Sequence, residues 1–345
     1  MAVRKPAARS HTRAPRKVAV KAAAKVVRKP VPKRPAITIP AGISANSVVR
    51  ALNVIGDRWI LLILYRAFLG SHRFDDFQRT TGMARSLLAD RLKRLERTGI
   101  LQRTPYQKRP VRYEYRLTEK GADLHDAAMM IVRWEKRWHF DRKTPVHHLR
   151  HIACDHGFTP ELRCKHCREI VTVRHVSLKA GPGAGSDRRL GPRAQRRSSL
   201  PARHAKHLPP MLERALEVLG DRWTSHVIAA AFYGKHRFNE FQETLQIATN
   251  LLADRLERVV KLGLLERTAY QARPKRYEYR LTESGRDLFP LVVELMRWGD
   301  RWLAGKGGVP EILIHDSCGK PLVPVMTCDQ CHAVVGRDDV SVPRG

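Results

Sequence analysis

One sequence pattern occurs twice in this chain: RSLLADRLKRLERTGILQRTPYQKRPVRYEYRLTEKG at residues 85–121 and TNLLADRLERVVKLGLLERTAYQARPKRYEYRLTESG at residues 249–285. Each stretch begins with leucines at helical spacing and passes, after a glycine, into residues that alternate between apolar and polar. In the first stretch, Leu88, Leu92 and Leu95 fall on one helix face, and the alternating segments flank a basic loop. The change of period predicts a helix followed by a two-stranded hairpin.

The repeat extends well beyond these stretches at a constant offset of 164 residues, from GDRW at 56–59 and 220–223 to the last cysteine of each copy. The six tryptophans form three pairs at this offset, and the six cysteines form three more. A repeat of this length without gaps indicates two copies of one domain. We name them copy one and copy two.

Each copy predicts the same order of elements. In copy one, residues 47–69 form a helix with a break near Gly56, followed by a short helix at 74–80, a turn at Gly82 and a helix at 85–98. A hairpin and a long helix bearing Trp134 come next. Copy two repeats these elements at 215–232, 238–244, 250–262, 265–281 and 287–303. The order predicts a mainly α fold with small antiparallel β-wings: tandem winged helix-turn-helix domains, each followed by a small Cys/His knuckle segment.

Charge divides the chain further. The 65 Lys and Arg residues exceed the 33 Asp and Glu residues, giving a formal net charge of +32. This excess favours a polyanionic partner, nucleic acid before an anionic membrane surface. The predicted segments are a disordered basic tail at 1–38, winged-helix domain 1 at 44–142, Cys/His knuckle segment 1 at 147–176, a basic flexible linker at 177–208, winged-helix domain 2 at 209–306 and Cys/His knuckle segment 2 at 311–342.

Apolar runs and cysteine usage predict the compartment. No apolar run reaches the ~18–20 residues that a membrane span needs. Six cysteines are too sparse for a disulfide scaffold, so a reducing, cytoplasmic location is expected, with association to the nucleoid. No paired carboxylates, nucleophile–base pair or Gly-rich phosphate loop emerges, and GPGAG at 181–185 is interpreted as linker. We therefore expect a protein that is not an enzyme.

The repeated string GDRW…RFxxFQ…LLADRL…GxLxRTxYQxRPxRYEYRLTExG…RWxxRW resembles the HxlR-type transcriptional regulators, winged-helix relatives of the MarR group, over nearly all of each copy. The resemblance implies a regulator that binds double-stranded DNA and pairs two domains through their terminal helices. Because family members are usually homodimers, two copies in one chain imply an intramolecular pseudo-dimer; the long helices could also support further self-association. Many members carry a cysteine, sometimes used to sense oxidants or electrophiles, where this chain has Asn46 and Pro210, so no redox switch is expected there. No residue identifies a small-molecule effector.

A helix in the major groove contacts bases with its early residues, while flanking and wing cations contact phosphates. The predicted base contacts are Arg85 and Ser86 in copy one and Thr249 and Asn250 in copy two. The predicted phosphate or minor-groove contacts are Arg91, Arg94, Lys108, Arg109, Arg112, Arg255, Arg258, Arg273, Lys275 and Arg276. Arg91 and Arg255 could instead pair with carboxylates inside the domain, and we expect Asp90 and Asp254 to brace Arg94 and Arg258. The unequal base-contacting residues predict an imperfect palindrome with half-sites ~10 bp apart.

A second motif, H-x2-C-x9-C-x2-C, follows each long helix. Its members are His151, Cys154, Cys164, Cys167, His315, Cys318, Cys328 and Cys331. Three thiolates and one imidazole suit tetrahedral Zn²⁺, so each copy is predicted to hold one zinc ion in its own motif. Reduced buried thiols, a C-x-x-C redox pair or a disulfide are the alternatives.

Three functions remain open. The first is a sequence-specific transcriptional regulator. The second is a nucleoid or architectural protein that binds DNA largely without sequence preference through the tail and the linker. The third is a thiol-based redox protein that uses the C-x-x-C pairs. A DNA motif enriched from random duplexes would favour the first over the second.

Overall fold

The computed structural model describes residues 46–140, 149–185, 209 and 212–342. The predicted basic tail at 1–38 lies outside the described residues, as does most of the predicted linker. Within these ranges, no helix has the length and apolar character required to cross a membrane.

Copy one contains six helices and a hairpin before its knuckle segment. They are α1 (Ser47–Ile55), α2 (Arg58–Phe68), α3 (Phe74–Thr81), α4 (Arg85–Arg97), β1 (Leu101–Lys108), β2 (Val111–Leu117), α5 (Glu119–Ala122) and α6 (His125–Trp138). The predicted break near Gly56 is confirmed, because Asp57 caps α2 by accepting hydrogen bonds from the backbone of Trp59 (3.0 Å) and Ile60 (3.1 Å). Gly82 ends α3 with φ +65°, the left-handed conformation that glycine adopts without strain.

Copy two repeats these elements. They are α7 (Glu213–Leu219), α8 (Arg222–Phe232), α9 (Phe238–Leu245), α10 (Thr249–Lys261), β7 (Leu265–Gln271), β8 (Arg276–Leu281), α11 (Glu283–Arg286) and α12 (Phe289–Leu303). Gln246 takes the left-handed position of Gly82, with φ +49°. The predicted mainly α fold with two antiparallel wings is therefore confirmed.

The knuckle segments consist of short strands that pair between the copies. In copy one they are β3 (Arg150–His151), β4 (His156–Gly157), β5 (Pro160–Cys164) and β6 (Val176–Ala180). In copy two they are β9 (Glu311–His315), β10 (Lys320–Pro321), β11 (Pro324–Cys328) and β12 (Val340–Ser341). The antiparallel pairs are β5 with β11, β6 with β9 and β3 with β12. Each knuckle segment thus completes its sheets with strands of the other copy.

The long helices also connect the copies, and their contacts are reciprocal. Trp134 donates from Nε1 to the carbonyl of Ser284 (3.0 Å), and Trp298, its counterpart, donates to the carbonyl of Lys120 (2.8 Å). Both tryptophans are buried within one apolar core that contains residues of both copies. Equivalent residues making equivalent contacts is the property of a two-fold, isologous interface.

The start of the predicted linker at residue 177 is wrong, because the folded knuckle segment extends further along the chain. Residues 177–180 belong to β6, and the following Gly181 and Gly183 donate backbone hydrogen bonds to the carbonyls of Pro310 and Val309 (both 2.9 Å). A Cβ at Gly181 would lie 2.3 Å from the carbonyl oxygen of Val309. These glycines therefore permit close backbone packing, and the GPGAG stretch is part of the fold rather than of a linker.

Candidate DNA interface and metal centres

The helix-turn-helix of copy one presents the start of α4. Arg85 and Ser86 occupy the first turn and are exposed. The Arg85 guanidinium lies 5.1 Å from the ring centroid of Phe74 on α3, and its Nη1 atom is 3.4 Å from Oε1 of Gln78. These contacts hold the guanidinium beside α3 without burying it, so its donors remain accessible to a base edge.

The start of α10 in copy two carries different chemistry. Thr249 and Asn250 are exposed at the positions equivalent to Arg85 and Ser86. Thr249 accepts a hydrogen bond from Nε2 of Gln242 (2.9 Å), and Asn250 Oδ1 accepts one from the backbone of Leu251 (2.8 Å). All four residues thus lie on exposed first turns, and their contacts with bases stay a prediction.

Two predicted phosphate contacts point into the protein instead. Arg91 Nε lies 3.2 Å from Oδ1 of Asp57, and Arg255 Nε lies 2.9 Å from Oδ1 of Asp221. Both aspartates cap a helix, so each arginine connects the recognition helix to the start of α2 or α8. The sequence left two roles open for these arginines, contact with phosphate and pairing with a carboxylate inside the domain. In the structure, both arginines pair with a carboxylate inside the domain.

The expected bracing of Arg94 by Asp90 is wrong. Asp90 pairs with the neighbouring Arg91 (2.5 Å), and Asp254 pairs with Arg255. Arg94 donates from Nη2 to the carbonyls of Asn53 (2.8 Å) and Val54 (3.3 Å) at the end of α1. The aspartates face the i+1 arginine because that side chain is already fixed by the helix-capping carboxylate. Arg258, the counterpart of Arg94, is half-buried.

Both wings end in exposed basic residues. The exposed side chains at the two tips are Lys108, Arg109, Arg112, Arg273, Lys275 and Arg276. The turns are equivalent, since Gln107 donates to the carbonyl of Arg109 and Gln271 to that of Arg273, both at 3.0 Å. The tip of each wing therefore presents three cations toward solvent.

Sequence reasoning missed one further cation in each copy. Arg73 lies 4.5 Å from the ring centroid of Tyr106, and Arg237 lies 4.7 Å from that of Tyr270. Both arginines are exposed between the helix-turn-helix and the wing. The repeated RF dipeptide at the start of α3 and α9 is the signal that could have identified them.

The eight predicted metal-ligating residues form two clusters, but each cluster combines ligands of both copies. The first cluster contains His151, Cys154, Cys328 and Cys331, and the second contains Cys164, Cys167, His315 and Cys318. The predicted grouping within one copy is therefore wrong. The extended strand β5 carries Cys164 away from Cys154, while the antiparallel strand β11 brings Cys328 back to Cys154, with Cys328 paired opposite Pro160.

The distances within both clusters suit a tetrahedral ion. In the first, His151 Nδ1 lies 3.2 Å from Cys154 Sγ and 3.3 Å from Cys331 Sγ, and Cys154 Sγ lies 4.0 Å from Cys328 Sγ. In the second, His315 Nδ1 lies 3.2 Å from Cys167 Sγ. Zinc bond lengths imply ligand separations of roughly 3.6–3.8 Å, whereas a disulfide requires about 2.05 Å between sulfurs. The donor set and its spacing fit zinc, and the described thiols are not joined as disulfides.

The four ligand pairs share one turn. The residue after each second ligand has a positive φ: Asp155 (55°), Arg168 (64°), Gly319 (68°) and His332 (59°). In each turn that residue donates its backbone N–H to the carbonyl of the first ligand, at 2.8–2.9 Å. Three of these residues are not glycine and would rarely adopt this conformation, so four identical turns indicate a site that the fold is built to form.

Residues 54–143 and 218–306 match the HxlR-like helix-turn-helix family. The chain belongs to this family. An HTH-type transcriptional regulator of Mycobacterium tuberculosis (strain ATCC 25618 / H37Rv) is 42% identical over 138 residues, which cover 40% of this chain and 87% of the relative. The HTH-type regulator YodB of Bacillus subtilis is 33% identical over 94 residues, covering 27% of this chain and 84% of YodB.

Among solved structures, a transcription factor from Pseudomonas aeruginosa is 34% identical, with a TM-score of 0.31, and covers 39% of this chain and 91% of its own. The reduced form of the redox regulator HypR is 34% identical, with a TM-score of 0.25, and covers 26% of this chain and 90% of its own. The family and the relatives from Mycobacterium tuberculosis and Bacillus subtilis are transcriptional regulators and not enzymes. This HxlR-like chain is accordingly a DNA-binding transcriptional regulator.

Asn46 has a structural role in this HxlR-like protein. It is 3% exposed, caps α1 by accepting from the backbone of Val48 (2.6 Å), and donates from Nδ2 to Oε2 of Glu311 (3.0 Å). The amide thus joins α1 of copy one to β9 of copy two, with no thiol at this position. Its counterpart, Pro210, lies outside the described residues.

Proposed function

We propose that the chain is a sequence-specific transcriptional regulator that binds double-stranded DNA as an intramolecular pseudo-dimer, each copy contacting one half-site. The observation that carries the proposal is the reciprocity of the contacts between the copies. Arg133 pairs with Asp287 (2.9 Å), and Arg297, the counterpart of Arg133, pairs with Asp123 (3.1 Å). An isologous interface of this kind matches the two-fold symmetry of a palindromic operator.

The two recognition helices would contact different bases. Arg85 offers the bidentate donors that suit guanine, whereas Asn250 offers the donor and acceptor that suit adenine. Ser86 and Thr249 complete the base-contacting set, and half-sites ~10 bp apart follow from one turn of the duplex. The phosphate-contacting set is Lys108, Arg109, Arg112, Arg258, Arg273, Lys275 and Arg276. Arg91, Arg94 and Arg255 are left out because their donors are engaged inside the domains.

Two zinc ions per chain would connect the copies. Each ion would take one histidine and one cysteine from one copy and a C-x-x-C pair from the other. A structural zinc site of three thiolates and one imidazole contributes folding free energy directly. Here that free energy would stabilise the position of one DNA-binding domain relative to the other.

Selection of bound duplexes from a random pool tests the DNA-binding proposal. We expect an imperfect palindrome to be enriched, and Arg85→Ala and Asn250→Ala to relax the preference in opposite half-sites. Lys320→Ala, an exposed residue of a knuckle segment, is the control and should leave both half-sites unchanged. Flat enrichment would favour the architectural protein that binds DNA without sequence preference. A preference unchanged by Asn250→Ala would contradict the unequal reading of the two half-sites.

A further inference from the structure

A cavity of about 480 Å³ lies between the copies, on one side of the molecule. Helices α1, α2 and α6 of copy one and α7 and α12 of copy two surround it. Its walls are mostly apolar and include Leu52, Leu216 and Leu295. This volume falls within the range of roughly 300–1,000 Å³ that small-molecule sites occupy.

The equivalent place on the other side is nearly filled. There, the counterpart space, bounded by Val48, Val292 and Leu295, measures about 30 Å³. Val48 is equivalent to Leu212 and Val292 to Ala128, both of which line the large cavity. An apolar molecule would therefore find one site per chain rather than two.

Helix packing explains the difference between the two sides. A Cβ at Gly299 on α12 would lie 2.3 Å from the carbonyl oxygen of Ser47, so glycine lets α1 pack closely on α12. The equivalent residue on α6 is Glu135, whose Oε1 accepts from the backbone of Ala215 (2.6 Å) at the start of α7. The larger side chain occupies the space between α6 and α7, and α7 begins two residues later than α1 relative to the repeat. The space next to α7 therefore stays open.

The charged side chains that line the cavity are basic. His125 lies on the inner wall, and Arg116 and Arg337 lie at the mouth with side chains 53% and 54% exposed. Among the described residues that line the cavity, none is acidic. Each of these three groups pairs with a carboxylate: His125 with Asp126, Arg116 with Glu114, and Arg337 with Asp338. Because an arginine has five donors, each arginine retains some of them for a ligand. Arg337 is equivalent to Val173 and His125 to Phe289, whereas Arg116 has the basic counterpart Arg280, so two of these three basic groups occur on one side only.

We propose that this cavity binds one small molecule per chain, with an apolar body of the size of a bicyclic ring and a carboxylate group. The apolar body would contact the leucines of α1, α7 and α12, and the carboxylate would accept hydrogen bonds from Arg116 and Arg337 at the mouth. Val340, which also lines the cavity, pairs with the metal-ligating His151 between β12 and β3. A ligand here would thus contact both the long helices and one knuckle segment.

Isothermal titration of the full chain with 2-naphthoate and with the neutral 2-naphthalenemethanol tests the proposal. We expect one equivalent of 2-naphthoate per chain. Ala128→Phe, which fills the cavity, should weaken the binding of both probes at least about tenfold. Arg116→Gln combined with Arg337→Val should weaken the binding of 2-naphthoate about tenfold and that of 2-naphthalenemethanol less than about twofold. Arg280→Gln, at the position in copy two equivalent to Arg116, is the matched control and should change neither.

Thermal unfolding of each variant separates loss of binding from loss of folding. If Ala128→Phe does not fold, the two arginine substitutions at the exposed mouth still decide the result. Absence of saturable 2-naphthoate binding, two equivalents per chain, or unchanged binding by the double arginine variant would overturn the proposal.

Discussion

Leu162 lies directly opposite Met326 in the antiparallel pair of β5 and β11, and both side chains are buried. These residues occupy equivalent positions in the two copies. The approximate two-fold axis that relates the copies therefore passes between Leu162 and Met326. The pairings of Cys164 with Pro324 and of Cys328 with Pro160 are reciprocal about this point, and the two Cys/His clusters exchange their C-x-x-C pairs between the copies. These contacts are the ones that the proposed intramolecular pseudo-dimer requires.

Gly299 tests the close packing of α1 on α12. Replacing a helical glycine by alanine normally stabilises an exposed helix by ~1 kcal/mol. Gly299→Ala should instead lower the free energy of unfolding by ~1–3 kcal/mol, because the new Cβ would lie 2.3 Å from the Ser47 carbonyl oxygen. Urea unfolding measures the change. Gly305→Ala, where an added Cβ meets nothing within 4 Å, is the control, and equal effects of the two substitutions would contradict the described packing.

The reciprocal carboxylates predict matched losses of stability. Asp287 accepts from Trp138 Nε1 (2.8 Å), and Asp123 accepts from Trp302 Nε1 (2.7 Å), in addition to their arginine partners. Asp287→Ala and Asp123→Ala should each lower the free energy of unfolding by ~2–4 kcal/mol, because each removes the acceptor of a tryptophan N–H and a carboxylate partner of an arginine. Arg297 keeps Glu294 as a second partner (2.6 Å), whereas Arg133 has Met130 at that position. Asp76→Ala, which removes an exposed ion pair with Arg79, should have little effect. Interface substitutions that lower the free energy of unfolding no more than Asp76→Ala does would argue against these contacts between the copies.

Glu135 predicts a dependence of stability on pH. Burial raises the pKa of this carboxyl group to about 7, although the Ala215 backbone and Arg214 act in the opposite direction and Glu213 adds to the rise. A carboxyl group whose pKa is higher in the folded state stabilises the fold at low pH, and this contribution is lost as pH rises from about 4.5 through about 7. Relative to Glu135→Gln, the free energy of unfolding of the natural protein should therefore fall by roughly 1–3 kcal/mol between pH 5 and pH 8. Chemical unfolding at a series of pH values measures the difference, and parallel pH profiles would exclude this role.

The wing tips predict a loss of affinity that does not depend on sequence. Arg109→Ala or Arg273→Ala should weaken binding to the selected site and to a scrambled duplex alike, and reduce the slope of log affinity against log salt by about one. Fluorescence anisotropy across a salt series measures both quantities. Arg91→Ala is the contrasting variant: it should destabilise folding, because Asp57 loses one of its charged partners, and leave the salt slope unchanged. A wing variant that changed base preference alone would contradict the assignment to phosphate.

The sequence predicted the elements of each copy well and the connections between copies poorly. The periodicities around Leu88 and Tyr115 depend on local backbone geometry, which neighbouring residues encode. The sequence identified the eight residues that form the two Cys/His clusters, but the spacing between Cys154 and Cys164 does not tell which copy supplies the rest of each cluster. That grouping depends on strand pairing between segments 164 residues apart. The inward orientation of Arg91 was equally undecided, because it depends on a helix cap 34 residues earlier.

The number of zinc ions retained by paired substitutions tests the central claim most directly. If each site combines both copies, Cys154→Ser with Cys328→Ser damages one site, and native mass spectrometry should find one zinc per chain. Cys154→Ser with Cys164→Ser then damages both sites, and no zinc should remain. The opposite result, one zinc for the Cys154 and Cys164 pair and none for the Cys154 and Cys328 pair, would place each site within a single copy and contradict the account.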